Sequence, residues 1–476
     1  MAKSFYLTTT IPYVNSDPHI GFALELVQSD VIARYNRLIG NEVFFSTGTD
    51  EYGQKIWEAS QVANIPVQKY VDNYAQKFID LSKTLHISVD NFIRTTSEDN
   101  IVASQEVWRL CEENGDIYKK KYKGMYCVGC EKFLQEKDIV DGKCPLHPNK
   151  ELEFVEEENY FFRLTKYKEK IVEYLSNPKS VVPEWRRTEA LGIAQSLEDF
   201  SVSRDKKRFS WGIAIPGDDT QVMYVWFGAF VNYISTLGWP RDKEKYRKFW
   251  VEGRNVQTAG KDMVKFQSIM WQGMLLSAGL KQTESVVYHG FVTGEGGIKM
   301  SKSLGNVVNP LSIVDEYGVD ALRYFLTREV SSFEDSPFTL ERFKEAYNAN
   351  LANGLGNLVS RIMKMAEDNL VGPVALPEHE DFSEYFSLYE KFEVGKAADF
   401  VWQKIGEMDR FIQENQPFKI VKEDKERGER MISDLVVKLY SVARMLNPIL
   451  PETSEKIKRL VKDNKKPDQP LFIRKD

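Results

Sequence analysis

The chain has 476 residues, 42% of them hydrophobic and 12% aromatic, and carries a formal net charge of −6. That length and apolar content fill roughly two to four packed domains and exclude wholesale disorder. The negative balance excludes a generally basic nucleic-acid binder but leaves room for a local basic surface.

In chain order, "KSFYLTTTIPYVN" opens with a short apolar strand that should end at Pro12. A helix follows over "IGFALELVQSDVIARYNRLIG", apolar at helical spacing and closed by Gly40. "NEVFFSTGTDEYG" reads as a second strand ending in a turn, with more helix behind it. This βαβ rhythm implies the α/β class: a parallel sheet with helices on both faces and ligands at the strands' carboxyl ends. Cys111, in "EVWRLCEENG", is expected to be a buried helical cysteine.

From about residue 115 to 210 the text becomes mixed and charged. It contains "YCVGCEKFLQEKDIVDGKCPLHP": Cys127-x2-Cys130, thirteen residues, then Cys144-x2-His147. Two short-spaced pairs across such a gap suit two knuckles gripping one tetrahedral Zn²⁺, and no acid, base or open position accompanies them, so the metal should be structural. The alternative is reduced structural thiols. Parallel-sheet signals return with "VEGRNVQTAGKDM" and "SVVYHGFVTGEGG". Beyond about residue 345 the chain is helical nearly to its end, with "LVGPVALPEHEDFSEY" as an exposed connection. No run of about 18 apolar residues and no secretory leader is present, so a cytoplasmic chain without a membrane span is expected.

Two short stretches carry the chemistry. In "DPHIGF", His19 and Gly21 sit where a helix begins, and unpaired N–H groups there favour an anion. In "GEGGIKMSKSLGN", glycines loosen the backbone ahead of Lys299 and Lys302. Either stretch alone reads as ordinary turn chemistry. One near the first strand and one after the last would flank the middle of a parallel sheet, which is much more specific.

"PHIGF" and "KMSKS" resemble the two signatures of the class I aminoacyl-tRNA synthetases. "TGTDEYGQK", "VEEENYFFRL", "SVSR", "YVWF", "GKDM" and "HGFVTGEGGIKMSKSLGNVVNP" make the chain similar to the methionyl branch of that family. The resemblance implies a Rossmann-type parallel-sheet catalytic domain, split by a zinc-binding connective insert and followed by an all-α anticodon-binding bundle. Its implied boundaries are 1–114 and 211–290 for the catalytic halves, 115–210 for the insert, 291–345 for the KMSKS loop and stem-contacting link, and 346–476 for the bundle. The implied reaction joins L-methionine to ATP, as methionyl-adenylate and pyrophosphate, then passes the methionyl group to the terminal adenosine of tRNA(Met). A carboxylate is already a nucleophile, so that first step needs alignment and charge neutralisation more than proton transfer.

The resemblance also implies residue roles. His19, Lys299 and Lys302 would serve catalysis, and His19, Gly21, Asp262, His289, Gly290 and Lys302 would bind ATP with its Mg²⁺. Asp50 would take the methionine ammonium. Ile11, Tyr13, Trp226, Ala229, Tyr233, Met263, Phe266, Gln267 and Trp271 would line the thioether slot, with Arg204 as a conformational partner. Asn357, Arg361 and Phe418 would read the anticodon. A monomer is expected.

The chain departs from the family pattern at Phe22, Tyr52, Gly228, Gln267 and Phe418, and Phe22 cannot donate to a phosphate as the signature histidine does. Rival readings are a synthetase for leucine, isoleucine or valine, an amino-acid-independent adenylyltransferase, and a non-catalytic RNA-binding paralogue. The roughly hundred-residue insert leaves no room for the editing domain of the first. The second does not need a helical third, and the last does not need a dilysine loop.

Overall fold

The apolar run at the start forms β1 (Ser4–Thr8) in a computed structural model that describes residues 3–129, 132–134, 139–145, 147–208, 210–298, 300, 308–377 and 381–476. Cys130, Lys299 and Lys302 lie outside the described residues. The chain divides into two units. One comprises Met1–Pro18, Asn41–Lys83 and Val89–Tyr288, and the other His19–Gly40, Thr84–Ser88 and His289–Asp476.

After β1 the strands are β2 (Glu42–Thr49), β3 (Asn91–Arg94), β4 (Ile117–Cys127), β5 (Lys132–Leu134), β6 (Glu153–Phe162), β7 (Val181–Val182), β8 (Phe200–Ser201), β9 (Ser203–Asp205), β10 (Ala214–Ile215), β11 (Asp218–Met223), β12 (Arg254–Gly260), β13 (Ser285–His289), β14 (Val292–Thr293) and β15 (Ser336–Pro337). The main sheet has the order β3-β2-β1-β12-β13-β7. β1 pairs in parallel with β2 and β12, β2 with β3, and β13 with β7. Strand order therefore reverses between β1 and β12, which creates a crevice at their carboxyl ends. β1 stops at Thr8 rather than Pro12. Thr9 and Thr10 each still donate one bond, to Ser46 O and Thr258 O, before the chain leaves the ladder.

The connective segment builds its own antiparallel sheet, β5-β4-β6-β8. β4 and β6 pair from Ile117↔Phe162 to Tyr126↔Glu153, setting Lys121 opposite Glu158 and Lys123 opposite Glu156. Such opposed charges fix the register of a two-stranded ribbon. β7, drawn from the same stretch of chain, joins the main sheet instead.

In the other unit, the predicted helix spans Ile20–Leu38, and Gly40 follows at φ +85°. A left-handed residue just past a helix end is the geometry glycine adopts without strain. The C-terminal third is helical as expected, including Asn357–Asn369, Val394–Asn415, Pro417–Glu423, Lys425–Leu446 and Pro451–Asp463. The expected exposed connection ends at Phe382: a helix starts at Ser383, and Tyr385 is buried with its hydroxyl donating to Met445 O at 2.5 Å. No helix among the described residues is long and apolar enough to cross a membrane.

A fully buried ion pair fastens this unit. Arg323 and Asp30 are both 0% exposed and 2.7 Å apart. Asp30 also accepts from Arg34 Nε and from the backbone and hydroxyl of Ser88, while Arg323 donates to the carbonyls of Leu85, Pro448 and Ile449. Burial opposes the charge on Asp30, but Arg323, Arg34 and Ser88 together hold its carboxyl below the usual range. Removing one partner leaves the other charge stranded. Asp30→Asn should thus destabilise the helical unit by about 3–5 kcal/mol, seen as an earlier loss of helical circular dichroism in urea. An unchanged midpoint would contradict this.

Candidate active site

The carboxyl ends of β1, β2 and β12 gather the residues expected to hold the amino acid. Beyond β1 and β2, Tyr13 and Asp50 form a parallel bridge. Asp50 N–H donates to Pro12 O at 2.9 Å and Val14 N–H to Asp50 O at 3.2 Å. Asp50 is 2% exposed. Past β12, the single 3₁₀ turn Lys261–Met263 presents an exposed Asp262.

Most of the expected apolar wall forms one aromatic cluster in the same unit. Trp226 and Phe266 stack at 4.3 Å, Phe230 lies 6.0 Å from Trp226 and 6.1 Å from Trp271, and Tyr233 is 5.9 Å from Trp271. Gln267 Nε2 donates to the Tyr233 hydroxyl at 2.6 Å. Gln267 belongs to a wide π turn, Phe266–Met270, a rare helical geometry frequent at functional sites. Ala229 is buried, and Ile11 and Met263 are half-buried. Phe230 was missed from the sequence. Its signal was the i, i+4 spacing from Trp226 on the short helix Val225–Phe230.

Beside Asp50 stands a second buried carboxylate, Glu51, 0% exposed and also missed. It accepts from Thr49 Oγ1 at 2.7 Å, from Arg94 Nε and Nη2 at 2.7 and 3.0 Å, and from the Thr96 hydroxyl. Its carbonyl takes Trp211 Nε1–H at 2.6 Å, and the Trp211 ring packs on Tyr52 at 5.2 Å. Burial, followed by the charges of Glu51 and Asp50, pushes the Tyr52 phenol up to about 12. Arg204, expected as a conformational partner of the slot, is buried. It is 2% exposed, lies 4.1 Å over the Tyr224 ring, and donates to Ser201 Oγ and Ser203 O.

The nucleotide signature lies in the other unit. His19 caps the helix Ile20–Leu38, its Nδ1 accepting from Gly21 N–H at 3.1 Å, which puts the proton of the neutral ring on Nε2. Phe22 is buried. His289 is buried too, with Nδ1 2.7 Å from Gly290 O and Nε2 3.0 Å from Glu25 Oε2. Both nitrogens are thus engaged within the protein. A Cβ on Gly290 would fall 2.1 Å from the Glu334 backbone, so packing by itself already requires glycine there.

Three of the four expected metal donors converge. The ligand atoms of Cys127, Cys144 and His147 lie within 4.8 Å of one another. His147 Nδ1 is 3.8 Å from Cys127 Sγ and 3.9 Å from Cys144 Sγ. Donors on one tetrahedral zinc sit roughly 3.5–3.8 Å apart, so the set fits that ion. Cys111, by contrast, is buried in the helix Glu98–Glu113, and burial pushes its thiol up to about 12.

Of the expected anticodon readers, Asn357 is exposed and opens the helix Asn357–Asn369, and Arg361, one turn on, donates to Asp409 Oδ1 at 2.5 Å. Phe418 is 42% exposed behind Gln416, whose left-handed φ of 46° starts the helix Pro417–Glu423.

Comparison with known proteins agrees with this geometry. The family described as "tRNA synthetases class I (M)" matches residues 5–153 and 147–363. Methionine–tRNA ligase of Thermotoga maritima is 39% identical over 98% of this chain and 76% of its own length, and that of Fusobacterium nucleatum 38% identical over 96% and 74%. This chain belongs to the methionine–tRNA ligase family. The solved Mycobacterium tuberculosis methionyl-tRNA synthetase in complex with methionyl-adenylate superposes with a TM-score of 0.89 at 34% identity, covering 96% of this chain and 94% of that one.

Against the family pattern, Gly228 has a packing explanation. A Cβ there would lie 2.7 Å from Ile213 Cδ1, so Ile213 fills the space in which an aspartate would stand. Gly228→Ala should therefore cost about 1–3 kcal/mol through overpacking, measured by thermal or urea unfolding. Adding Ile213→Val should recover part of the loss; no recovery would show that the strain lies elsewhere.

Proposed function

We propose a division of labour among the residues for the family's reaction, the ATP-driven joining of methionine to tRNA. Asp50 accepts the substrate ammonium, while Tyr13, Trp226, Phe266, Tyr233 and Trp271 enclose the thioether, with Ile11, Ala229, Met263 and Gln267 completing the wall. Sulfur packs well against aromatic rings, and this cluster offers several. The bridge joining Tyr13 to the buried Asp50 at the strand-order reversal is the observation that carries this reading.

ATP enters with Mg²⁺, which screens phosphate charge. His19 Nε2–H and the N–H groups at the start of the helix Ile20–Leu38 receive phosphate oxygens. Gly21 and Gly290 let the nucleotide lie close to backbone, and Asp262 accepts from ribose hydroxyls. Lys299 and Lys302 meet the triphosphate. The methionine carboxylate oxygen then bonds the α-phosphorus as the bond to pyrophosphate breaks. In the second step a ribose hydroxyl of the tRNA's terminal adenosine takes the methionyl group, and AMP leaves. Asn357, Arg361 and an exposed Phe418 read and stack on unpaired anticodon bases.

The test is ATP–pyrophosphate exchange with a panel of amino acids. Methionine should be the amino acid that supports exchange, and Lys302→Ala should raise the barrier by about 3 kcal/mol, roughly a hundredfold in rate. Exchange without any amino acid would favour an adenylyltransferase, and no exchange at all a binding protein.

We assign zinc to the Cys127, Cys144 and His147 knuckle, with Cys130 as the fourth ligand. Among the described residues, Cys127, Leu134 and Cys144 form a very small core with Ile139 and Leu152, an apolar surface that a bound metal would supplement. Elemental analysis should give one zinc per chain, lost in Cys144→Ser, and chelation should expose Cys127 and Cys144 to thiol reagents. Protected thiols after metal removal would show that the fold stands alone.

A further inference from the structure

The helix Val225–Phe230 carries Trp226 and Ala229, yet it is only 6 residues long and no side chain caps its first turn. A helix that short does not hold its own place, so packing and hydrogen bonds from outside must fix it. One buried side chain supplies such a bond. Asn100, 0% exposed, stands in the first turn of the helix Glu98–Glu113. Its Nδ2 lies 3.2 Å from Thr95 O and 3.2 Å from Gly228 O, and its Oδ1 accepts from the Ser235 hydroxyl at 2.9 Å. Carbonyls accept and cannot donate, so the amide nitrogen must be the atom facing both, and its two protons are spent on them.

The two carbonyls belong to different sides of the proposed methionine slot. Thr95 N–H donates to Thr49 O at 3.1 Å, and Thr95 Oγ1 takes the Glu51 N–H at 2.9 Å. Thr95 therefore brackets the backbone on either side of Asp50. Gly228 stands next to Ala229 and two residues after Trp226, with Ile213 packed where a Cβ would project. A single nitrogen atom thus ties the strand end that bears Asp50 to the helix that bears the wall.

We propose that Asn100 is a positioning residue that sets the depth of the methionine slot. By holding Thr95 O and Gly228 O on one amide, it fixes how far the Trp226–Ala229 wall stands from the backbone around Asp50. This rests on the reading that Trp226 and Ala229 enclose the thioether, and Asn100 acts through that wall rather than on the reacting atoms. A wall held in this way resists a side chain one methylene longer, because the excess volume has to be met by moving backbone. With the clamp gone, the short helix can give way and admit it.

The experiment compares methionine with ethionine, its S-ethyl homologue, in ATP–pyrophosphate exchange. The readout is the ratio of the two kcat/KM values, in which the concentration of folded enzyme cancels. Asn100→Asp keeps the volume but turns an acceptor oxygen toward two carbonyls. In this variant the preference for methionine over ethionine should fall about tenfold, with KM for methionine raised and KM for ATP unchanged. Ser235→Ala removes only the hydroxyl that steadies the amide's oxygen, and should lower the same preference about threefold.

An unchanged preference in folded Asn100→Asp would overturn the proposal and leave Asn100 a purely structural amide, which lowers the yield of folded enzyme without moving the ratio. If Asn100→Asp does not fold, an unchanged preference in Ser235→Ala would overturn it equally. The underlying reading is tested separately: wild-type methionine KM and wild-type preference in Trp226→Ala would remove that wall from the site whatever Asn100 does.

Discussion

Two backbone hydrogen bonds, from Asp50 N–H to Pro12 O and from Val14 N–H to Asp50 O, extend the register of β1 and β2 past the sheet's edge. Because the pairing is parallel, both strands deliver their following residues to the same end of the sheet, and β12 on the other flank of β1 delivers Asp262 there too. The buried carboxylate of Asp50, the ring of Tyr13 and the exposed carboxylate of Asp262 thus arrive at one end of the sheet without any of them being near another in sequence. The register makes this obligatory: a one-residue slip would turn each of these side chains to the opposite face.

Burying a carboxylate at such a site carries a cost that the chain meets with arginine. Glu51 is answered bidentately by Arg94, and in the other unit Asp30 is answered by Arg323. The planar guanidinium suits both tasks, since it stays charged under burial and its fixed donors can satisfy several acceptors at once. Arg323 uses this capacity fully, binding one carboxylate and three carbonyls drawn from three stretches of chain: Asp30, Leu85 and Pro448–Ile449. Around Asp50 the Thr95 hydroxyl lies 3.5 Å from Oδ1, and its backbone N–H and carbonyl bond Pro12 and Val14.

The connective segment shows a third way of stabilising structure. Its long β4–β6 ribbon is held by cross-strand lysine–glutamate register and by edge-to-face ring contacts such as Trp108 on Tyr160 at 5.3 Å. At the ribbon's tip the described residues bury little apolar surface, and the sulfur and nitrogen donors of Cys127, Cys144 and His147 converge there. The departures from the family pattern are local and partly compensated. Ile213 occupies the space beside Gly228, Trp211 packs on Tyr52, and Gln267 still holds Tyr233.

The sequence alone determined the α/β class, the helix after the first strand, the helical third and the Cys-Cys-His convergence, because each is written in local periodicity or short spacing. It also marked His19 as the start of a helix, through the His-x-Gly turn at the head of an apolar-periodic run. Only the tertiary structure decided that Arg94 belongs to Glu51, Arg323 to Asp30, Asp409 to Arg361 and β7 to the main sheet. These partners lie dozens to hundreds of residues apart, and an arginine in a strand or helix carries no local mark of which carboxylate it will meet. The same holds for Arg204 and Phe418: the buried arginine and the exposed phenylalanine invert the usual preferences, and burial is a property of the packed fold rather than of the residue.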